Sequence, residues 1–105
     1  MRPILLIVSV IYLTLHAPLT CNAHTPYMAC YDNGDDSISC YAEFSDGSSA
    51  AGNQIRVEDS HGELLHKSTV DDTGEYNFAR PQVPYTVIFD AGPGHVVKEK
   101  STSIE

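Results

Sequence analysis

Alternation of apolar and polar side chains, cut short every few residues by glycine, proline, asparagine or aspartate, constrains this chain more than any other feature. Period-two patterning puts successive side chains on opposite faces of a strand, and no stretch after residue 23 carries helical spacing. Met28 and Cys30 alternate with Tyr27, Ala29 and Tyr31; Ile38, Cys40, Ala42 and Phe44 alternate with Ser39, Tyr41 and Glu43. Between them lies Asp32-Asn33-Gly34-Asp35-Asp36, whose Asn-Gly tolerates positive φ and marks a hairpin tip. Ser45 to Ser49 is a polar loop, Gln54 to Asp59 turns Ile55 and Val57 inward, Ser60-His61-Gly62 reverses the chain and Leu64 to Val70 returns it. Asp71-Asp72-Thr73-Gly74 precedes a short strand with Tyr76 and Phe78, and Arg80-Pro81-Gln82 leads into Val83 to Asp90. Gly92-Pro93-Gly94 breaks that strand before His95 to Lys100 and a polar tail, Ser101 to Glu105. Seven short strands at this spacing predict one all-β domain, an antiparallel β-sandwich.

The leading residues belong to something else. Ile4 to Leu15 is an apolar run behind Arg2, followed by a small-residue stretch ending Cys21-Asn22-Ala23, which is the pattern of a secretory signal. The run is too short to span a bilayer. The expected division is therefore a signal peptide over 1–23 and the sandwich over 24–105, exported to the periplasm or the extracytoplasmic face of the inner membrane. A mature start at Cys21 with a lipid adduct is the alternative. No transmembrane anchor is expected in the mature chain.

Charge narrows the partners. The chain carries 14 acidic against 6 basic residues, a formal −8, and loses one further base when Arg2 leaves with the signal. Such a surface repels phosphate backbones, which excludes nucleic acid, and it attracts cations. Export also makes a disulfide possible between Cys30 and Cys40. A three-residue hairpin loop would put the two cysteine rows on one face, and a two-residue turn would separate them. A Cys30–Cys40 bridge and two reduced, core-facing thiols both fit the pattern.

Phe44-Ser-Asp-Gly-Ser-Ser-Ala-Ala-Gly, Ile55-Arg-Val-Glu-Asp with Gly62-Glu-Leu-Leu, and Thr69-Val-Asp-Asp-Thr-Gly-Glu-Tyr-Asn-Phe resemble the transthyretin-like (prealbumin-like) sandwich of carboxypeptidase regulatory domains. Phe89-Asp-Ala-Gly-Pro-Gly-His95, together with Ala23-His24, is similar to the NikL-type small exported accessory component of nickel and cobalt transporters of the energy-coupling-factor type. The resemblance implies membrane subunits of such a transporter as partners, and Ni²⁺ or Co²⁺ as the ion.

The residues carry a metal chemistry of their own. Cleavage after Ala23 leaves His24 with a free α-amine and an imidazole, which together chelate a borderline cation such as Ni²⁺, Co²⁺ or Cu²⁺. His95 is the second candidate ligand; it follows Asp90 across a Gly-Pro-Gly loop that can bring a carboxylate and an imidazole together. The expected metal set is therefore His24, His95 and Asp90. His61 reads as a solvated turn residue and His66 as a hydrogen-bonded strand residue. The acidic Asp32–Asp36 loop lacks the spacing and the final glutamate of a calcium loop.

No nucleophile elbow, zinc-protease helix, phosphate loop or dinucleotide fingerprint occurs, so the chain is expected not to be an enzyme. Three functions are compatible with the sequence. One is an accessory or metal-capturing subunit of a nickel/cobalt transporter; another is a free periplasmic carrier, for example of copper; the third is a protein-interaction module whose histidines are incidental. Met28 is the only methionine after the signal, which argues against a methionine-rich Cu(I) site.

Overall fold

The computed structural model describes residues 24–105; the expected signal peptide lies outside the described residues. Seven strands follow one another as β1 (Pro26–Asp32), β2 (Ser37–Phe44), β3 (Gln54–Asp59), β4 (Leu64–Thr69), β5 (Glu75–Ala79), β6 (Tyr85–Asp90) and β7 (Val96–Lys100). They form two antiparallel sheets, β1-β2-β5 and β4-β3-β6-β7, as a β-sandwich. Ile38 and Cys40 from the first sheet and Ile55, Val57, Val87 and Phe89 from the second are the largest fully buried side chains. These are the inward positions of the alternation, so hydrophobic burial chooses the face of each strand.

Loop length sets the register of the β1–β2 hairpin. Asn33 N–H bonds the Ser37 carbonyl at 3.0 Å, closing a loop of Gly34, Asp35 and Asp36. Gly34 (φ 79°) and Asp36 (φ 66°) supply the left-handed backbone that the reversal needs. The carboxylates of Asp32 and Asp35 accept the N–H groups of Gly34 and Ser37. With an odd loop, Cys30 stands opposite Cys40. The two form a disulfide, with Cα atoms 4.0 Å apart, and both are buried. Of the two states left open by the sequence, the structure takes the bridge.

Strand ends differ from the sequence expectation where a backbone donor is missing or already used. The sixth strand starts at Tyr85 rather than Val83, because Pro84 has no N–H to give a ladder. The seventh starts at Val96, since His95 is spent closing the turn: its N–H bonds the Gly92 carbonyl, and its carbonyl accepts from Ala91 N–H. The polar tail is structured. A 3₁₀ turn spans Ser101–Ser103, Ser101 Oγ accepts Tyr85 N–H, Ile104 packs on the core and the Glu105 carbonyl accepts Asp32 N–H.

Ile88 is buried on the outer side of the four-stranded sheet, where Arg56 and Lys98 stand in register on either side of it. Long basic side chains cover apolar surface with their stems while keeping their charge in water.

Candidate metal-capture groove

Backbone pairing fixes where the chain begins its domain. Ser45 N–H bonds the Thr25 carbonyl at 2.9 Å and Thr25 N–H bonds Ser45 Oγ at 3.0 Å, which carries the β1–β2 register one pair past Pro26 and Phe44. His24 is thereby set beside the β2–β3 loop. Its ring meets Phe44 edge-on at 5.4 Å, and Phe44 in turn packs on core Phe89 at 5.9 Å. Edge-to-face packing on an aromatic that is itself anchored restricts the imidazole without burying it; the side chain keeps 61% exposure.

His24 and His95, 71 positions apart in the chain, line one groove of about 440 Å³ with Phe44, Ser48, Ser49, Asn53 and Ala91. His95 Nδ1 lies 3.2 Å from the Pro93 carbonyl. A carbonyl only accepts, so in the neutral ring this contact favours the tautomer with the proton on Nδ1 and the lone pair on Nε2. That is the arrangement by which a second partner usually fixes the tautomer of a metal-binding histidine.

Asp90 does not join them. Val87 and Phe89 face the core, so strand parity turns Asp90 to the outer face of its sheet. There Oδ1 accepts Gly92 N–H at 3.0 Å and Oδ2 accepts Arg56 Nη1–H at 3.1 Å. The Gly92 N–H, and then the Arg56 guanidinium, hold the Asp90 carboxyl below its usual range. Arg56 also holds Glu58 at 2.9 Å and Gln54 at 3.2 Å. The Gly-Pro-Gly loop therefore makes a turn that sends the imidazole to the groove and the carboxylate away from it.

The carboxylate near His24 is Asp46, whose Oδ2 lies 3.2 Å from His24 Nδ1; Ser48 Oγ lies 3.3 Å from the same nitrogen. The sequence reading passed over Asp46 because Ser-Asp-Gly reads as loop punctuation. Its signal was available in the hairpin register, which brings residue 24 up to the loop directly after Phe44. Among the described residues, no three or more His, Cys, Asp or Glu side chains are already gathered around one point as a metal site. Two imidazoles line the groove, and the Asp46 carboxylate stands beside one of them, His24.

The remaining candidates stand apart. The His66 ring packs 5.8 Å from that of Phe78, and His61 backbone N–H donates to the Asp59 carboxylate in its turn. At the Asp32–Asp36 loop, Arg80 pairs with both Asp32 and Asp36, so a guanidinium occupies the acidic tip. A second surface that the sequence reading did not single out lies on the outside of the β1–β2 hairpin. Tyr27, Tyr31 and Tyr41, each about half exposed, border a hollow of about 480 Å³ that Ala29 and Glu43 also line. Outward tyrosines on two paired strands were its signal.

Comparison of the chain with family models, with curated proteins and with solved structures found no match.

Proposed function

We propose that this protein captures a divalent transition metal outside the cytoplasm, as an accessory subunit for nickel or cobalt uptake by an energy-coupling-factor type transporter. The observation that carries the reading is the convergence of His24 and His95 on one groove, with the His95 Nε2 lone pair left available. Imidazole donors suit borderline ions, the acidic surface concentrates cations near them, and the exposure of His24 suits an ion that is to be passed on. The resemblance of Ala23-His24 and of the Phe89–His95 segment to the NikL-type component supports nickel or cobalt over copper.

The test is calorimetric titration of Ni²⁺ into untagged protein that begins at His24. An added N-terminal residue, which removes the α-amine from beside the imidazole, is expected to weaken binding strongly, as is His24→Ala. His95→Ala is expected to weaken it less. Equal affinities in all four proteins would reject the capture site.

The tyrosine hollow favours a second reading, a protein-interaction module. Its aromatic faces and Glu43 suit a partner that presents lysine or arginine. Under that reading Tyr31→Ser abolishes association with the partner and leaves Ni²⁺ affinity unchanged.

A further inference from the structure

Asp46 is held by one oxygen and presents the other. Its Oδ1 accepts both Ser48 N–H at 2.9 Å and Ser48 Oγ–H at 2.6 Å, an Asx turn that fixes the carboxylate plane. Oδ2 is left toward His24 Nδ1 at 3.2 Å. Nδ1 is also the ring nitrogen that closes a six-membered chelate with the α-amine of a first-residue histidine. Donors on adjacent vertices of an octahedral or square-planar ion, with bonds of about 2.1 Å, lie roughly 3 Å apart. The Nδ1–Oδ2 separation thus matches that of two neighbouring ligands on one cation.

We propose that Asp46, and not Asp90, is the carboxylate ligand of the captured metal. The donor set proposed is the His24 α-amine, His24 Nδ1 and Asp46 Oδ2, with His95 Nε2 drawn in across the groove by the ion, since among the described residues no three such side chains are already gathered at one point. Three nitrogens and one oxygen select a borderline divalent ion over Ca²⁺ or Mg²⁺, which prefer all-oxygen sites. Asp90 is unfit for the role because both of its oxygens are committed, one of them to a guanidinium that a cation would have to displace. The inference rests on the capture reading above, and the two fail differently.

The experiment uses the untagged chain beginning at His24, with Ni²⁺ titrated calorimetrically and Co²⁺ followed by visible absorption. Asp46→Asn keeps an oxygen for the Ser48 N–H and so keeps the turn. It is expected to bind Ni²⁺ at least ~10-fold more weakly and to shift the Co²⁺ bands, whereas Asp90→Asn leaves both nearly unchanged. Loss of binding in His24→Ala with wild-type affinity and spectrum in Asp46→Asn would overturn the Asp46 assignment and leave the capture reading standing. Tighter binding in Asp46→Asn would also overturn it, since the carboxylate would then be holding a proton on Nδ1 against the metal. Wild-type affinity in His24→Ala would overturn both.

Discussion

The two ends of the β1–β2 hairpin are built from the same parts and finished differently. Each carries an aspartate whose Oδ1 accepts the N–H two residues on, Asp32 from Gly34 at one end and Asp46 from Ser48 at the other. At the first end Arg80 reaches Asp32 and Asp36, Arg80 N–H bonds the Asp36 carbonyl, and the Glu105 carbonyl takes Asp32 N–H. At the second end the spare carboxylate oxygen meets an exposed imidazole. A guanidinium is a permanent cation with a fixed fork of donors, so the first end is closed at every physiological pH. A neutral imidazole offers a lone pair, so under the proposed capture reading the second end can take up and release a cation. The same turn thus serves as a staple at one end and, under the proposed capture reading, as half of a binding site at the other.

The Cys30–Cys40 bridge lies between these ends, and removing it is expected to have the largest effect. The Cys30→Ala, Cys40→Ala double variant should lose about 2–4 kcal/mol of stability in urea melts, the scale for a short closed loop. If the ends are independent, its Ni²⁺ affinity at temperatures where it remains folded should stay near wild type; a parallel loss of affinity would show that the bridge, rather than the Thr25–Ser45 pairing, positions His24.

A smaller effect separates the ends by pH. Asp32, Asp46, Asp59, Asp71 and Asp90 all have lowered pKa values in the folded state, Asp32 mainly through Gly34 N–H and then Arg80. Groups whose folded pKa lies below the unfolded one, near 4, contribute stability that is complete above that range and is lost as pH falls through the lowered value. Arg80→Met raises the Asp32 pKa, so its acid unfolding, followed by circular dichroism, should begin at higher pH than in the wild type. Its Ni²⁺ affinity should not change, because Arg80 belongs to the closed end. Metal release on acidification should precede unfolding, since the coordinating nitrogens must be deprotonated.

The smallest expected effect concerns Glu99, an inward position on β7. Burial raises its pKa, opposed by the Cys30 N–H that it accepts. The sign is the reverse of the aspartates: folding disfavours the charged form, so the cost is present above the raised folded pKa and disappears as pH falls through it. Glu99→Gln should therefore raise Tm by about 1–2 °C at neutral pH and bring no gain at low pH, where the wild-type side chain is already neutral.

Legibility in the sequence followed the range of the interaction. The alternation of Ile38, Cys40 and Ala42, or of Ile55 and Val57, depends on neighbours two residues away, and those strands were readable with their inward faces. The Cys30–Cys40 pair depended on one loop length, which narrowed it to two outcomes. Asp90 could not be placed from its own segment, because its partner Arg56 is set by the pairing of β3 with β6, 34 residues apart in the chain. Asp46 was missed for the same reason: its neighbour His24 arrives through pairing at the far end of β1. The docking of Ile104 and Glu105 left no periodic trace at all in so short a polar tail.

The odd loop of Gly34, Asp35 and Asp36 also sets a rule for insertions and deletions. Deleting one residue there, with pairing to β2 retained, rotates β1 by half a turn: Cys30 would leave the core, the bridge would be lost, and Tyr27, Ala29 and Tyr31 would turn toward Phe89. Adding or removing two residues preserves the faces. The hairpin therefore counts its loop in pairs, and length variants of this protein should tolerate even changes at that tip far better than single ones.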